Sequence, residues 1–210
     1  MVALNQAERD GIIIKNPGKD IDRKLKSHSE QKVRCYLTIE EVKQIIECEY
    51  RPDNDVKSAF LFCCFSGLRF SDVKKMTWGE ITVTNDGQAQ LETKMKKTGK
   101  SIWVPLSDNA IKWILERGEA SDTDLVFAKL PEQSSNADSR LKTLIRKAGI
   151  TKNVTFHVAR HTFAILTLTY GADLYTVSKL LGHSNIRTTQ IYAKIVDESK
   201  RRAVNQIPNL

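Results

Sequence analysis

Residues 155–195 read TFHVARHTFAILTLTYGADLYTVSKLLGHSNIRTTQIYAKI, and they bring His157, Arg160, His161, His183 and Tyr192 close together along the chain. Those residue types point to anion chemistry. His157 and Arg160 lie three apart, so a helix puts them on one face, with Phe163, Ile165, Leu166 and Leu168 as the apolar side that anchors it. A second helix is expected over 173–181, stopped by Gly182, which can take a positive φ beyond a helix end. His183 follows at once, in a tight corner, and Ser184 is a good N-cap for a third helix. Along that helix Tyr192 falls about two and a half turns past His183, from where its hydroxyl can return to the same pocket.

Size and charge bound what this stretch belongs to. A chain of 210 residues, 40% apolar and 28% charged, is ordinary globular composition and long enough for one well-buried domain with a small appendage. The net charge of +8 comes from 33 Lys and Arg against 25 Asp and Glu, and it favours an anionic partner, nucleic acid before membrane. Many basic proteins bind no DNA, so charge alone decides nothing. Cys35, Cys48, Cys63 and Cys64 have no metal spacing, and the last two sit in the apolar run 59–65, which suits packed thiols in a reducing compartment. The first residues, MVALNQAERDG, lack a charged-then-apolar leader pattern, and no apolar run approaches the ~20 residues of a membrane span. A soluble, cytoplasmic protein is expected.

The remaining chain alternates helix and strand signals. Residues 1–10 suit a helix ended by Gly11, and 19–34 form a basic stretch that reads either as a solvated linker or as a segment tracking a phosphate backbone. Thr38-Ile39-Glu40-Glu41 is a capping box that opens a helix to about residue 49, and a very apolar helix is expected from 53 or 54 to 66, ended by Gly67. A short helical turn carries Arg69 and Asp72. Ile81-Thr82-Val83, the turn Asn85-Asp86-Gly87, a strand over 88–94, a second turn at 96–100 and Ile102-Trp103-Val104-Pro105 make a small three-stranded antiparallel sheet. Helices are then expected at 107–117 and 136–148, with a further short one at 197–205. The fold class is α+β, mainly α.

Five groups of residues now carry a resemblance. His157-x-x-Arg160, Leu180-Leu181-Gly182-His183-Ser184 and Thr188-Thr189-Gln190-Ile191-Tyr192, preceded by Ser66-Gly67-Leu68-Arg69-Phe70-Ser71-Asp72 and Lys97-Thr98-Gly99, resemble the catalytic signature of the tyrosine recombinases, the phage and conjugative-element integrases and Xer-type resolvases. It spans roughly residues 36–195, in the family's order. It implies a helical catalytic domain of the DNA breaking-rejoining type with a small sheet. Residues 1–35 are then the end of a preceding core-binding domain and a basic linker, and 196–210 a tail that docks on a neighbour. The space before residue 36 holds only the last helix of the family's DNA-clamping domain, which suggests a catalytic fragment or a short member.

The resemblance also implies roles. Arg69 and Arg160 hold the two non-bridging oxygens of a DNA phosphate, and Asp72 orients Arg69, although an Arg69–Asp72 ion pair is the plain structural reading of that pair. His183 donates a hydrogen bond to the phosphate and His157 accepts the proton of Tyr192, the nucleophile. Lys97 in the second turn protonates the leaving 5′ oxygen; Lys94, Lys96 and Lys100 are alternatives. His161 is given a structural place. His157 and His161 are spaced i, i+4, but Val158 stands where a zinc-binding His-Glu-x-x-His motif needs glutamate, and no third ligand is evident, so no metal or cofactor is expected. Tyr36, Tyr50, Tyr170 and Tyr175 read as half-buried helix tyrosines. The implied partner is double-stranded DNA, bound by a homotetramer on two sites with accessory DNA-bending proteins, in a bacterial cytoplasm on the nucleoid. Two rivals share parts of this pattern: a type IB topoisomerase-like enzyme, and a non-catalytic helix-turn-helix module formed by residues 174–195.

Overall fold

The computed structural model describes residues 2–19, 34–50, 54–94 and 101–205. The chain divides into two compact units, residues 1–33 and 34–210. In the first, α1 (Val2–Arg9) ends before Gly11. Asn16 folds back to donate to Asn5 Oδ1 at 2.6 Å, and Lys19 pairs with Glu8 at 2.6 Å. Most of the basic stretch 19–34 lies outside the described residues, as does the turn holding Lys96, Lys97 and Lys100.

The second unit is mainly helical with one sheet. α2 (Ile39–Glu47) starts at the expected capping box: Thr38 Oγ1 accepts from Glu41 N–H at 3.3 Å, and the Glu41 carboxylate accepts from Thr38 N–H at 2.8 Å. α3 (Asn54–Ser66) runs through the centre of the unit, packed against α5 (Asp108–Ile111), α6 (Ser134–Lys147) and α7 (Phe156–Thr169). Its phenylalanines anchor the core: Phe60 meets Phe156 edge-on at 5.7 Å between centroids, and Phe62 meets Phe127 at 5.8 Å. Burying each such ring stabilises the fold by about 2–3 kcal/mol. Strands β1 (Ile81–Val83), β2 (Ala89–Lys94) and β3 (Ser101–Pro105) form the expected antiparallel sheet in the order β1-β2-β3, with Leu91 opposite Ile81 and Val104. Leu91 and Val104 turn inward on the core.

Three expectations about helices are corrected. The helix expected at 107–117 is only α5, because beyond Ile111 the bonds tighten to i→i−3, from Trp113 to Ala110 and from Ile114 to Ile111. That tightening lets three consecutive apolar residues, Trp113, Ile114 and Leu115, all pack on the core, which one helix face cannot do. Second, Ser184 caps nothing: α9 (Arg187–Asn205) begins three residues later, where Asn185 Oδ1 accepts from Arg187 N–H at 2.9 Å. Tyr192 therefore lies about one and a half turns into its helix. Third, no break precedes residue 197, since α9 is continuous to Asn205. The intervening α8 (Leu174–Leu180) is capped by Asp173 and ends before Gly182 as expected, with φ +61° at that glycine.

Candidate active site

Gly67 is the hinge between core and site. Its φ is +71°, and a Cβ there would overlap the Phe163 ring of α7, so only glycine allows α3 to end in contact with that helix. Its carbonyl accepts from Arg160 Nη1 at 2.8 Å, and Arg160 Nη2 donates to the carbonyl of Leu181. One guanidinium thus joins the end of α3 to the end of α8. Two of its five N–H groups are spent on these carbonyls. Arg160 is only 4% exposed; burial, and next the neighbouring Arg69 cation, lower its pKa to about 10, so it is charged at neutral pH.

Arg69 sits at the N-terminus of α4 (Phe70–Val73), and its Nη1 is 4.0 Å from Asp72 Oδ2, whose side chain is 2% exposed. The ion pair read from the sequence is present, and Arg69 also lines a cleft of about 270 Å³ together with His157, Arg160, Ser71, Ser134 and Asp138. Asp138, on α6, was not singled out by the sequence. Its Oδ1 accepts from Phe156 N–H at 2.8 Å and so caps α7, a task the preceding Thr155 side chain does not perform. Burial raises the Asp138 pKa, opposed by that N–H and by His157.

On α7 the residues from 158 to 162 are all buried, Arg160 and His161 included, so its N-terminal half is enclosed beyond the expected apolar side. His157 is exposed at the cleft, with its ring edge-on to that of His161 at 4.3 Å between centroids. His161 is the ring that meets Tyr192: its Nδ1 lies 2.7 Å from the Tyr192 hydroxyl. The contact with the Tyr192 hydroxyl that the sequence reading gave to His157 is thus made here by His161. The cause is the crossing of α9 on α7, which presents Tyr192 one turn further along α7 than His157.

Tyr192 is 2% exposed, whereas Tyr170 and Tyr175 are 72% and 61% exposed rather than half-buried. Burial raises the Tyr192 pKa, and the charges of Arg34, Arg160 and Arg69 pull against it. Arg34 was read as part of a linker. Its segment is fastened to the unit by Leu37 N–H donating to Thr162 Oγ1 at 2.9 Å and by Lys152 Nζ donating to the Tyr36 carbonyl at 3.0 Å. No pattern in the sequence marks it as a site residue. His183 follows Gly182, and its Nδ1 lies 2.8 Å from the fully buried Thr189 hydroxyl. Burial and the Arg160, Arg69 and Arg34 cations push the His183 pKa down to about 4; burial, then His157, Arg34, Arg160 and His183 push His161 to about 3. Both imidazoles are neutral at neutral pH.

The geometry therefore gathers Arg69, His157 and Arg160 into one cleft, and Arg160 links that cleft to the turn bearing His183. Lys97, Lys96 and Lys100 lie outside the described residues, and Lys94 ends β2. Among the described residues no group of three His, Cys, Asp or Glu side chains is arranged to hold a metal ion, and no helix is long and apolar enough to cross a membrane. Cys63 and Cys64 are buried, and burial raises both thiols.

Known proteins are similar to this chain in sequence and in fold. A tyrosine recombinase of Thermosipho africanus is 29% identical over 210 residues, covering 97% of this chain and 71% of that protein. Tyrosine recombinase XerD of Vibrio cholerae is 34% identical over 153 residues, covering 67% of this chain and 49% of XerD, so the match spans about half of that relative. A solved lambda integrase dimer bound to a COC′ core site has the same fold, with a TM-score of 0.71 at 21% identity over 90% of this chain and 68% of that one. The phage integrase family model matches residues 35–199, a span that holds both arginines, the three histidines of the site and the buried tyrosine, and the chain belongs to that family.

Proposed function

We propose that the chain is a site-specific DNA recombinase or integrase, of a mobile genetic element, that cuts and rejoins double-stranded DNA through a 3′-phosphotyrosyl link. The carrying observation is the joining of the Arg69–Arg160 cleft, through the Leu181 carbonyl, to the His183 corner, while buried Tyr192 carries a hydrogen-bonded hydroxyl amid the same cations. Arg69, Arg160 and His183 hold the scissile phosphate and stabilise the extra negative charge of five-coordinate phosphorus; losing one such donor costs ~10²-fold or more. Tyr192 Oη forms the new bond to phosphorus as the bond to the 5′ oxygen breaks. The phenol proton leaves toward the paired imidazoles of His161, which touches the hydroxyl, and His157 beside it. Burial depresses His161 first, and a bound phosphate offsets the Arg34 and Arg160 cations that add to it, so His161 becomes a better base when substrate is in place. Lys97 supplies the proton to the departing 5′ oxygen.

The phosphodiester bond energy is kept in the tyrosyl link, so a 5′-hydroxyl from another strand reverses the step without metal or ATP. Strand exchange then calls for a homotetramer on two DNA sites, with accessory DNA-bending proteins, on the nucleoid of a bacterial cytoplasm. The test traps covalent protein–DNA adducts on nicked DNA carrying candidate sites, on denaturing gels without added metal. Wild type forms an adduct and Tyr192→Phe forms none while still shifting DNA on a native gel. A wild type that shifts DNA and never forms an adduct overturns the reading for this chain.

A further inference from the structure

Two hydroxyls on α9, Thr189 and Tyr192, lie one turn apart on one face, and each ends on the Nδ1 of a histidine from another part of the unit: His183 at 2.8 Å and His161 at 2.7 Å. Helix threonines commonly turn the hydroxyl back to the carbonyl four residues earlier, and in α7 both Thr167 and Thr169 do so, each at 2.7 Å. Thr189 instead reaches out of its helix to His183, and it is fully buried there.

The contact matters because His183 is a neutral imidazole. Its burial among the Arg160, Arg69 and Arg34 cations leaves it one ring hydrogen, which is on Nδ1 or on Nε2. Only the second form can donate from Nε2 toward an anion while Nδ1 is engaged by Thr189. Among the described residues His183 is the one partner of the Thr189 hydroxyl, and a buried hydroxyl with one partner loses most when its hydrogen is left unused. The pairing that uses this hydrogen has Thr189 as donor and Nδ1 as acceptor.

We propose that Thr189 is a positioning residue for DNA strand cleavage: its hydroxyl donates to His183 Nδ1, fixes the imidazole as the Nε2–H form, and ties this phosphate donor to the helix that carries Tyr192. The role rests on the recombinase reading above. It explains why the corner at Gly182 and the start of α9 hold a fixed relation: the donor to the phosphate and the nucleophile share one helix as their reference.

The test has two arms, both on the full chain. Long-range proton–nitrogen NMR reads which ring nitrogen of each of the four histidines carries hydrogen, with His183 assigned by comparison with His183→Gln. His183 is expected as Nε2–H in wild type and in Thr189→Ser, and as a mixture or as Nδ1–H in the nearly isosteric Thr189→Val. In the second arm, single-turnover adduct formation on nicked DNA is expected to slow by ~10- to 100-fold in Thr189→Val and to stay near wild type in Thr189→Ser, with DNA binding unchanged in both. Nδ1–H in wild type, or a Thr189→Val protein that keeps the wild-type form and rate while wild type cleaves, overturns the proposal alone. A wild type that forms no adduct overturns the cleavage reading and the role of Thr189 with it, whatever the ring nitrogens show.

Discussion

The core around α3 and the smaller cluster beneath α9 are built differently. The first is aromatic and almost wholly apolar, with Phe60, Phe62, Phe127 and Phe156 buried to 2% exposure or less. The second consists of Ala164, Ile165, Val177, Leu181, Tyr192 and Val196, and its contacts to the rest of the site include two hydroxyl–imidazole bonds. Arg69 and Asp72, at α4, are mounted on the first; Tyr192 is mounted on the second. The side bearing Arg69 is thus anchored by the larger apolar core, while the helix bearing Tyr192 is held by the smaller cluster and by hydroxyl–imidazole bonds. Arg160 is the staple between them.

Substitutions on either side sharpen that contrast. Phe60→Ala should destabilise the whole unit by about 3–5 kcal/mol, read as a large fall in the denaturation midpoint with all probes moving together. Gly67→Ala should cost about 3 kcal/mol, from backbone strain at φ +71° plus overlap with Phe163, and should also lower adduct formation because the Gly67 carbonyl positions Arg160. Val196→Ala should cost about 1–2 kcal/mol, and hydrogen exchange should quicken in α9 while α3 stays protected. Equal quickening in both helices would mean that the two regions open as one.

The pH dependence gives the most local signal. The His161 and His183 pKa values, about 3 and about 4, lie below the ordinary 6.5, so the unfolded chain binds more protons between those limits. Their contribution to stability is complete above about pH 6.5 and is lost as the pH falls toward the folded values. Thermal midpoints should fall from pH 7 to pH 5, and His161→Asn, which offers Tyr192 an acceptor without titrating, should flatten that fall. An unchanged slope would remove His161 from the explanation.

Much of this was legible along the chain because it is local. Arg69, Arg160, His183 and Tyr192 stand in short motifs whose spacing survives folding, and a capping box or a Gly-ended helix is decided by neighbours a few residues away. The parts that were not legible depend on partners far off in sequence. Asp138 caps a helix eighteen residues onward, and Arg34 reaches the site because Leu37 is bonded to Thr162 across 125 residues. The shortened α5 and the late start of α9 follow from packing and from Asn185, which competed locally with Ser184 as the cap.

By itself the sequence determined the α+β class, the three-stranded sheet and the residue types of the site, since periodicity, turn chemistry and motif spacing are properties of neighbouring residues. Only the tertiary structure decided which imidazole meets which hydroxyl. His157 and His161 are one turn apart on the same helix, and the choice between them for Tyr192 depends on how α9 crosses α7, which is set by the side chains packed between the two helices.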